Sequence, residues 1–300
     1  MTSTRETAAV VALLRGNDFP RQGVADLIAD HGGAVDALEY VLTHRTDVLQ
    51  LFDVGRHEVD ETLNLDAIEA EVRAWRQEGM AITTILDPEY PGNLHAIHNR
   101  PPMLFVRGAL LPGDERSIAV VGTRKPTDDG RASASKMARR MVEAGYVVVS
   151  GLAAGIDFTA HLAALEAAGR TVAVVGTGLR HAFPNENAEL QAHLGEVSAV
   201  VSQFWPDQGP RPWTFPARNA VMSGFARATV VIEASHTSGA RMQARLALEH
   251  GRPVFLLRSL MEHPWAQAHA LRPGTHVIDS GDEVVEILER EYSTNYALTG

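Results

Sequence analysis

Four apolar runs in this sequence each end in a loop that combines glycine with hydroxyl, carboxylate or cationic side chains. These loop residues are Gly122, Thr123, Arg124 and Lys125 after SIAVV, Ser150, Gly151, Gly155 and Asp157 after YVVV, Gly176 and Gly178 after TVAVV, and Ser238 and Gly239 after ATVVIEA. Glycine lets backbone N–H groups approach an anion closely, and the helix that follows points its N-terminus at the same place. The four loops therefore predict an anion site, such as a site for phosphate.

A second group of candidate residues lies in the stretch TFPARNAVMSGFARA, where Phe215 and Pro216 precede Arg218, Asn219 and a helix-like run. An exposed phenylalanine can stack on a nucleic-acid base, while arginine and asparagine can hold the phosphate backbone. An alternative fits the same residue types equally well, with Phe215 in the core and Arg218 as a surface charge. The stretch therefore predicts either part of a nucleic-acid site or ordinary packing.

The sequence lacks the common signatures of nucleotide-dependent enzymes and hydrolases. Gly122 is not followed by the G-x-x-G continuation of a dinucleotide fingerprint, and the pair Gly176 and Gly178 lacks the third glycine. Neither a G-x-x-x-x-G-K-[ST] loop nor a G-x-S-x-G elbow is present. The absence of cysteine excludes thiol catalysis, disulfides and cysteine-ligated metals, and the histidines are scattered. We therefore expect no enzymatic activity, no cofactor and no metal.

From Ala81 onward the chain alternates between short β-rich runs and helical stretches. Several runs are apolar throughout, as expected for parallel strands that helices cover on both faces. The predicted strands are AITTILD, MLFVRG, SIAVVG, YVVVSG, TVAVVG, SAVVSQF, ATVVIEA, PVFLL and THVIDS, and the predicted helices are RASASKMARRMVEAG, DFTAHLAALEAAG, NAELQAHLG, SGARMQARLALEHG and GDEVVEILERE. The alternation predicts an α/β fold with a doubly wound, mostly parallel sheet. In such a sheet, ligands bind at the carboxyl ends of the strands, where the glycine loops lie.

The first 79 residues predict a small all-helical domain of the SAM or helix-hairpin-helix kind. Apolar residues recur at helical spacing in TAAVVALLRG, QGVADLIADHGG, AVDALEYVLTH and LNLDAIEAEVRAWRQEG. In the last of these, Leu65, Ile68, Val72 and Trp75 share one face and Gly79 ends the helix. Such modules either bind DNA or a partner or serve only in packing. We predict a second domain over residues 80–290 and a loose polar tail over 291–300.

The composition favours a soluble cytoplasmic protein that is not coated with positive charge. The chain has 300 residues, of which 45% are hydrophobic, and a formal net charge of -10, which argues against non-specific duplex binding over the whole surface. No basic stretch followed by an apolar region marks a secretory signal at the N-terminus, and no apolar run has the length of a membrane span. A net charge of -10 is compatible with a local basic pocket.

The order and spacing of several motifs resemble the DprA/Smf family over roughly residues 80–256. The motifs are YPGNLHAIHNRPPMLFVRG, SIAVVGTRKPTDDGR, YVVVSGLAAGIDFTAHLAALEAAGRTVAVVGTGL, FPNENAEL, FPARNAVMSG and VVIEASHTSGARMQARLALEHGRPV. The resemblance implies an extended Rossmann-like domain that binds single-stranded DNA without reading its sequence. It also implies homodimerisation and the loading of RecA onto DNA during natural transformation.

The resemblance assigns the candidate residues to a DNA-binding site. It places Gly122, Thr123 and Arg124 on a phosphate, and it matches Arg218 and Asn219 to the family's F-P-x-R-N-R signature. The other residues that it assigns are Ser150, Gly151, Gly155, Asp157, Gly176, Gly178, Ser238 and Gly239. Lys125 and Phe215 join the predicted DNA-binding site on the chemistry of their side chains. Two residues also fit purely structural roles: Asp157 as the cap of a helix, and His161 as a hydrogen-bonding residue on a helix face.

The sequence also departs from the family pattern. Ala154 and Ala220 stand where the pattern has basic residues, and Arg241 enters the stretch SGARMQA. The loss of two cations favours an alternative function, in which a diverged relative binds a free nucleotide as a sensor. A nucleotide-cleaving enzyme such as a nucleoside-monophosphate phosphoribohydrolase is a third hypothesis. It is disfavoured because such enzymes take their catalytic carboxylate from a P-G-G-x-G-T-x-x-E stretch, and ASHTSGARMQA has no glutamate in that place. The nearest acidic residue on that rim is Glu233.

Overall fold

The nine predicted β-rich runs form the nine strands of one sheet in the computed structural model, which describes residues 2–16, 21–44 and 64–299. The strands are β1 (Ala81–Thr84), β2 (Met103–Gly108), β3 (Ser117–Val121), β4 (Val147–Ser150), β5 (Thr171–Val174), β6 (Ala199–Ser202), β7 (Ala228–Val231), β8 (Val254–Leu257) and β9 (Thr275–Ile278). Their spatial order is β1-β2-β6-β5-β4-β3-β7-β8-β9. The pairs β1–β2 and β2–β6 are antiparallel and the other pairs are parallel, which confirms the predicted mostly parallel α/β sheet.

The order of the strands creates a topological switch point between β3 and β7. From β3 the chain adds β4, β5 and β6 on one side, and it then returns to the other side of β3 to add β7, β8 and β9. The connections on the two sides of a switch point diverge, so a crevice opens at the carboxyl ends of β3 and β7. The topology therefore selects one place on the rim for a ligand.

Helices cover both faces of the sheet. The helices are α1 (Thr4–Gly16), α2 (Arg21–His31), α3 (Ala34–Thr43), α4 (Leu65–Gln77), α5 (Gly92–His95), α6 (Asp128–Glu143), α7 (Ile156–Glu166), α8 (Ala188–Val197), α9 (Thr214–Phe225), α10 (Gly239–Glu249), α11 (Pro264–Ala270) and α12 (Gly281–Thr299), with 3-10 helices at Pro112–Glu115, Asn185–Asn187 and Arg258–Glu262. Alternate residues of a strand point to opposite faces, and Ile118 and Val120 of β3 accordingly pack with α6, α7 and α12. Ala119 and Val121 pack on the other face, in a core that includes residues of α9 and α10.

The four N-terminal helices confirm the predicted helical region, apart from residues 17–20 and 45–63, which lie outside the described part of the chain. In α4, Ile68, Val72 and Trp75 are buried as the spacing predicts, and Gly79 follows with a φ of 80°. The Trp75 ring meets the ring of Phe105 in β2 edge to face, with centroids 5.2 Å apart. These helices therefore share one hydrophobic core with a face of the sheet.

The C-terminal helix α12 runs over Gly281–Thr299, so the backbone of the polar segment expected to be a loose tail continues this helix. The short helix α11 is not among the predicted helices; it follows the stretch FLLRSLMEH and begins with a proline in its first turn. Among the described residues, no helix is both long enough and apolar enough to span a lipid bilayer.

Candidate functional site

A pocket of about 630 Å³ lies at the switch point of the sheet. Its walls come from the loops after β3, β4 and β7 and from one side of α9 and α10. Three of the four predicted glycine loops thus meet at one site, as expected for the carboxyl ends of neighbouring parallel strands. The volume lies within the range of about 300–1,000 Å³ that is usual for ligand sites.

The loop after β3 contributes the exposed cations of the pocket. Arg124 and Lys125 are exposed, and the guanidinium carbon of Arg124 lies 5.3 Å from the centroid of the Phe215 ring. The N–H of Thr123 donates to the carbonyl of Glu233 at 2.7 Å, which ties this loop to the end of β7. A Cβ atom on Gly122 would lie 2.9 Å from the same carbonyl oxygen, so glycine permits this close approach.

The loop after β4 is held by its own side chains. The hydroxyl of buried Ser150 donates to the carbonyl of Val120 at 2.7 Å, and the carboxylate of Asp157 accepts from the N–H of Gly151 at 3.1 Å. Gly155 has a φ of 82°, in the left-handed region that favours glycine, and a Cβ atom there would lie 2.5 Å from the carbonyl oxygen of Thr123. Asp157 lies in the first turn of α7, and its hydrogen bond to Gly151 holds the loop between β4 and α7 in place.

Arg218 enters the same region from α9 and is buried. Its Nη1 donates to the carbonyls of Gly151, at the end of β4, and of Val174, at 2.9 Å in β5. A Cβ atom on Gly151 would lie 1.7 Å from Nη1, so the guanidinium occupies the space that this glycine leaves open. The alternative of a surface charge at Arg218 is therefore wrong, because the side chain is 6% exposed and lines the pocket.

Burial governs the pKa values of the ionisable groups beneath the pocket. Burial raises the pKa of Asp157, and this rise is opposed by the charge of Arg218 and by N–H groups of Gly151, Ala153 and Gly122. Burial lowers the pKa of Arg218, partly offset by Asp157, and an arginine starts so high that it stays protonated.

His161 lies behind the pocket, in the interior of α7. Its Nδ1 is 2.7 Å from the hydroxyl of Thr171 in β5. Burial lowers the pKa of His161 to about 3, and the charge of Arg218 adds to this effect. The imidazole is therefore neutral near pH 7 and acts as a buried hydrogen-bonding residue.

The loop after β5 does not reach the pocket. Gly176 and Gly178 are both buried. A Cβ atom on Gly176 would lie 2.9 Å from the ring of Phe215, and one on Gly178 would lie 1.9 Å from the carbonyl oxygen of Trp205. In the structure these two glycines admit the protein's own chain, and neither lines the pocket.

The remaining predicted residues line the pocket from α9 and from the start of α10. Phe215 is half-buried and lines the pocket, with its ring lying over Gly176. Ser238 begins α10, where its hydroxyl accepts from the N–H of Ala240 at 3.2 Å. The side-chain amide of Asn219 donates to the carbonyl of Gly239 at 3.3 Å, which joins α9 to α10.

Several other side chains belong to the site or its support. Gln243, 1% exposed, lines the pocket one helical turn after Gly239, and its spacing from that glycine is the signal that could have identified it. Arg241 does not line the pocket, because its guanidinium donates to the carbonyl of His236 and lies 5.5 Å from the Trp265 ring centroid. The carboxylate of Glu233 accepts from the hydroxyl of Thr127 at 2.8 Å and so supports the start of α6.

The pocket is cationic on an acidic chain. Its lining contains Arg124, Lys125 and Arg218 as cations and Asp157 as an acid, which gives a formal balance of +2 within a chain of net charge -10. Among the described residues, no group of three or more His, Asp or Glu side chains is placed to hold a metal ion. The lining therefore suits an anion that carries a flat apolar group beside Phe215.

Residues 81–289 match the model of a family described as DNA recombination-mediator protein A. DNA processing protein DprA of Bacillus subtilis is 34% identical over 218 residues, which make up 72% of this chain and 73% of the relative. Protein Smf of Escherichia coli is 36% identical over 203 residues, or 67% of this chain and 54% of the relative.

The chain belongs to the DNA recombination-mediator protein A family.

Solved structures agree with this assignment to the DprA/Smf family. The X-ray structure of DprA from Streptococcus pneumoniae has a TM-score of 0.73 and 28% sequence identity, and it covers 95% of this chain and 98% of that one. A structure of DprA from Helicobacter pylori, described as giving insights into its single-stranded DNA binding mode, has a TM-score of 0.59. It is 23% identical and covers 70% of this chain and 96% of that one, so it supports the fold.

Two positions set this DprA/Smf-family chain apart from the pattern that the resemblance implies. Ala154 and Ala220 are both half-buried and stand beside the pocket-lining residues Ala153 and Asn219. Any cation that the family places there is missing, and Arg241 does not replace it within the pocket. The positive charge of this site therefore rests on Arg124, Lys125 and Arg218.

Proposed function

We propose that this chain binds single-stranded DNA without reading its sequence, through the pocket at the switch point. The observation that carries the proposal is the combination of Arg124, Lys125 and Arg218 with the ring of Phe215 on one rim of an acidic protein. Arginine and lysine bind backbone phosphates, and an aromatic face accepts any base. A single strand can turn its bases toward the ring, whereas a duplex keeps them stacked inside.

We further propose that the chain acts as a recombination mediator rather than an enzyme, and that it works as a homodimer that loads RecA. Membership of the family and the description of the Helicobacter pylori relative support a role on single-stranded DNA. The hydrogen bonds between Glu233 and Thr127 support a non-enzymatic role. Glu233 is the acidic residue nearest to the place of the catalytic glutamate in nucleotide-cleaving enzymes, and here its carboxylate holds the start of α6. Neither a cofactor nor a metal is part of this proposal.

The test is the fluorescence anisotropy of a labelled single strand of about 30 nucleotides, titrated with protein at several salt concentrations, with a duplex beside it. We expect salt-sensitive binding that prefers the single strand. The variant Arg124→Ala should lower the salt slope by about 0.7 for each phosphate contact that is lost. Arg131→Ala, an exposed arginine on α6 outside the pocket, is the matched control. A folded protein that binds no single strand at low salt would contradict the proposal.

The RecA part needs a separate measurement. RecA-dependent strand exchange on strands covered by a single-strand binding protein should start faster when this chain is added. The Arg124→Ala variant should lose most of this acceleration, because the DNA-bound state is the one that delivers RecA. An unchanged rate with a chain that binds DNA would restrict the function to DNA binding.

A second candidate function is the binding of a free nucleotide, which the absence of cations at Ala154 and Ala220 favours. A pocket of about 630 Å³ has room for one nucleotide. Thermal shifts with nucleoside monophosphates separate the two candidates. A large shift with a monophosphate, combined with no binding of oligonucleotides, would favour the sensor.

A further inference from the structure

We propose that two exposed aromatic side chains, Phe183 and Trp213, extend the single-strand site beyond the pocket toward β6. The inference rests on the proposed function, because it assigns further residues to the same ligand. These residues, together with Arg211, form the segment that we call the aromatic track.

The two rings are exposed although large apolar side chains are usually covered. Phe183 is 38% exposed and Trp213 is 55% exposed. Exposed aromatic rings grouped beside a binding site are candidates for contact with a ligand. Because both rings lie beside the rim that holds the pocket, their exposure is more informative than that of a scattered apolar residue.

The track is continuous with the pocket. The Phe183 ring lies 5.3 Å from the ring of Phe215, centroid to centroid, at an interplanar angle of 46°. The ring of Phe215 also contacts the guanidinium of Arg124, whose carbon lies 5.3 Å from the ring centroid. A base that leaves the pocket beside Arg124 and Phe215 would therefore meet Phe183 next.

Trp213 continues the same line across the sheet. It precedes α9 and meets the ring of Phe204, just beyond β6, edge to face with centroids 5.6 Å apart. Phe215 lies over Gly176 at the end of β5. Since β6, β5, β4 and β3 are consecutive neighbours, the path from β3 to β6 crosses three strand spacings. At about 4.8 Å per spacing this is about 14 Å, or about four stacked nucleotides at 3.4 Å each.

A cation accompanies the track. Arg211 is exposed, and within the described residues its guanidinium makes no hydrogen bond or ion pair. The nearby Arg180 is different, because it pairs with Glu78 and Asp207. A free guanidinium two residues before Trp213 can hold a phosphate while the indole stacks on the adjoining base. Cations and rings thus occur together along the rim, as in other grooves for single strands.

The experiment compares the wild-type chain with the double variant Phe183→Leu, Trp213→Leu in binding oligothymidylates of about 3 and about 12 nucleotides. At about 3.4 Å per stacked nucleotide, the shorter strand is shorter than the path from β3 to β6 and the longer strand exceeds it. Loss of stacking should weaken binding of the longer strand by about tenfold or more. Binding of the shorter strand, which the pocket alone can hold, should stay within about twofold. The salt slope should not change, because no phosphate contact is lost.

Three further proteins make the test specific. Arg211→Gln should lower the salt slope for the longer strand by about 0.7. Phe183→Tyr keeps an aromatic face and should bind like the wild type. Leu271→Ala, at a residue that is 87% exposed just after α11, is the matched control and should also bind like the wild type. Circular dichroism would confirm that the exposed substitutions leave the fold intact.

The possible outcomes separate this inference from the proposed function. If the wild type binds the longer strand and the double variant binds it equally well, the aromatic track is overturned while the proposed function stands. If the wild type binds neither strand, both proposals fail together. Equal weakening on short and long strands would also overturn the track, since it would place the rings inside the pocket site.

Discussion

At the scale of single residues, the site depends on a pair in which one residue makes room for the other. Arg218 reaches the carbonyls at the ends of β4 and β5 only because residue 151 carries no side chain. The pair brings a buried positive charge to the pocket, in addition to the exposed cations Arg124 and Lys125. The missing side chain of Gly151 thus leaves space for the guanidinium of Arg218 in this structure.

Replacing Gly151 with alanine should expel the guanidinium of Arg218 from its position, because the added Cβ atom would lie 1.7 Å from Nη1. We expect the free energy of unfolding to fall by about 2 kcal/mol or more, since a buried arginine loses its partners. Urea denaturation measures this change, and anisotropy should show weaker binding of single strands. Gly113→Ala is the control, since an added Cβ there meets no atom within 4 Å. Equal stability of the two variants would show that Arg218 is not packed against residue 151.

His161 should make the stability of the protein depend on pH. Its pKa is about 3 in the folded chain, against an ordinary value of 6.5 for a solvated histidine, so the unfolded chain binds the proton more tightly. This contribution to stability is complete above pH 6.5 and is lost as the pH falls toward 3, with a slope of up to about 1.4 kcal/mol per pH unit. The measurement is urea denaturation at pH values between about 7.5 and about 5, a range that spans the ordinary histidine pKa.

The variant His161→Gln isolates this effect, because glutamine can still bond to Thr171 but does not titrate. The difference in unfolding free energy between wild type and variant should shrink as the pH is lowered through 6.5. Other groups, such as Asp157 with its raised pKa, contribute to both proteins in a similar way. A difference that stays constant with pH would contradict the buried, neutral histidine.

At the scale of elements, the loop after β3 is shaped by contacts with the end of β7. The backbone carbonyl of Glu233 accepts from Thr123, and its carboxylate accepts from the N–H and hydroxyl of Thr127. Thr127 is the N-cap of α6, and its hydroxyl also accepts from the N–H of Gly130 at 3.0 Å. One acidic residue thereby fixes both ends of the segment that presents Arg124 and Lys125.

The variant Glu233→Ala should loosen this segment and lower the free energy of unfolding by about 1–2 kcal/mol, through the loss of a helix-capping network. Affinity for single strands should fall as well, because the two exposed cations lose their fixed position. Glu233→Gln keeps one acceptor and should lose less. Glu262→Ala, at an exposed acid in a 3-10 helix, should change neither quantity. Full stability in Glu233→Ala would argue that Thr127 caps α6 without help.

The elements and the place of the site could be predicted from the sequence, and the direction of particular side chains could not. Alternating apolar runs and helical stretches predict all nine strands, and the parallel topology brings the loops of Gly122, Gly151 and Gly239 to one rim. A glycine after a strand, however, permits the approach of a ligand and of the protein's own chain alike. Gly176 and Gly178 lie against the protein's own chain, at the Phe215 ring and the Trp205 carbonyl. Only tertiary packing distinguishes a glycine of this kind from one that a ligand approaches.

The arginines of the rim show the same limit of sequence-based inference. Arg218 and Arg241 both lie near the start of a helix on the rim. One turns under the pocket to the strand carbonyls, and the other turns away to Trp265. The choice depends on which space neighbouring residues leave open, and this information is spread over distant parts of the chain.

At the scale of the whole molecule, the N-terminal helices and the sheet share a hydrophobic core. Trp75 of α4 is 3% exposed and forms a cluster of aromatic rings with Phe105 of β2 and with Trp205, which follows β6. The guanidinium of Arg15 in α1 lies 4.9 Å from the centroid of the Trp205 ring. The predicted division near residue 80 therefore separates helices from strands along the chain, while the packing runs across it.

We expect the N-terminal helices and the sheet to unfold in one cooperative transition, followed in parallel by circular dichroism and by tryptophan fluorescence. Trp75→Ala should lower the free energy of unfolding by about 3–5 kcal/mol and shift the whole transition. Trp75→Phe, which keeps an aromatic ring in the same place, should shift it less. Two separate transitions, with only one of them moved by Trp75→Ala, would show that the two regions fold independently.

The fixed position of Arg218 also has a consequence for the speed of association. Its guanidinium is already oriented by two carbonyls before any ligand arrives, so binding requires no slow rearrangement of the floor of the pocket. Encounter with a strand should therefore be a single step whose observed rate in stopped-flow mixing rises in proportion to DNA concentration. Gly151→Ala, by releasing the guanidinium, should convert this straight line into one that levels off, because the competent arrangement would then have to form first.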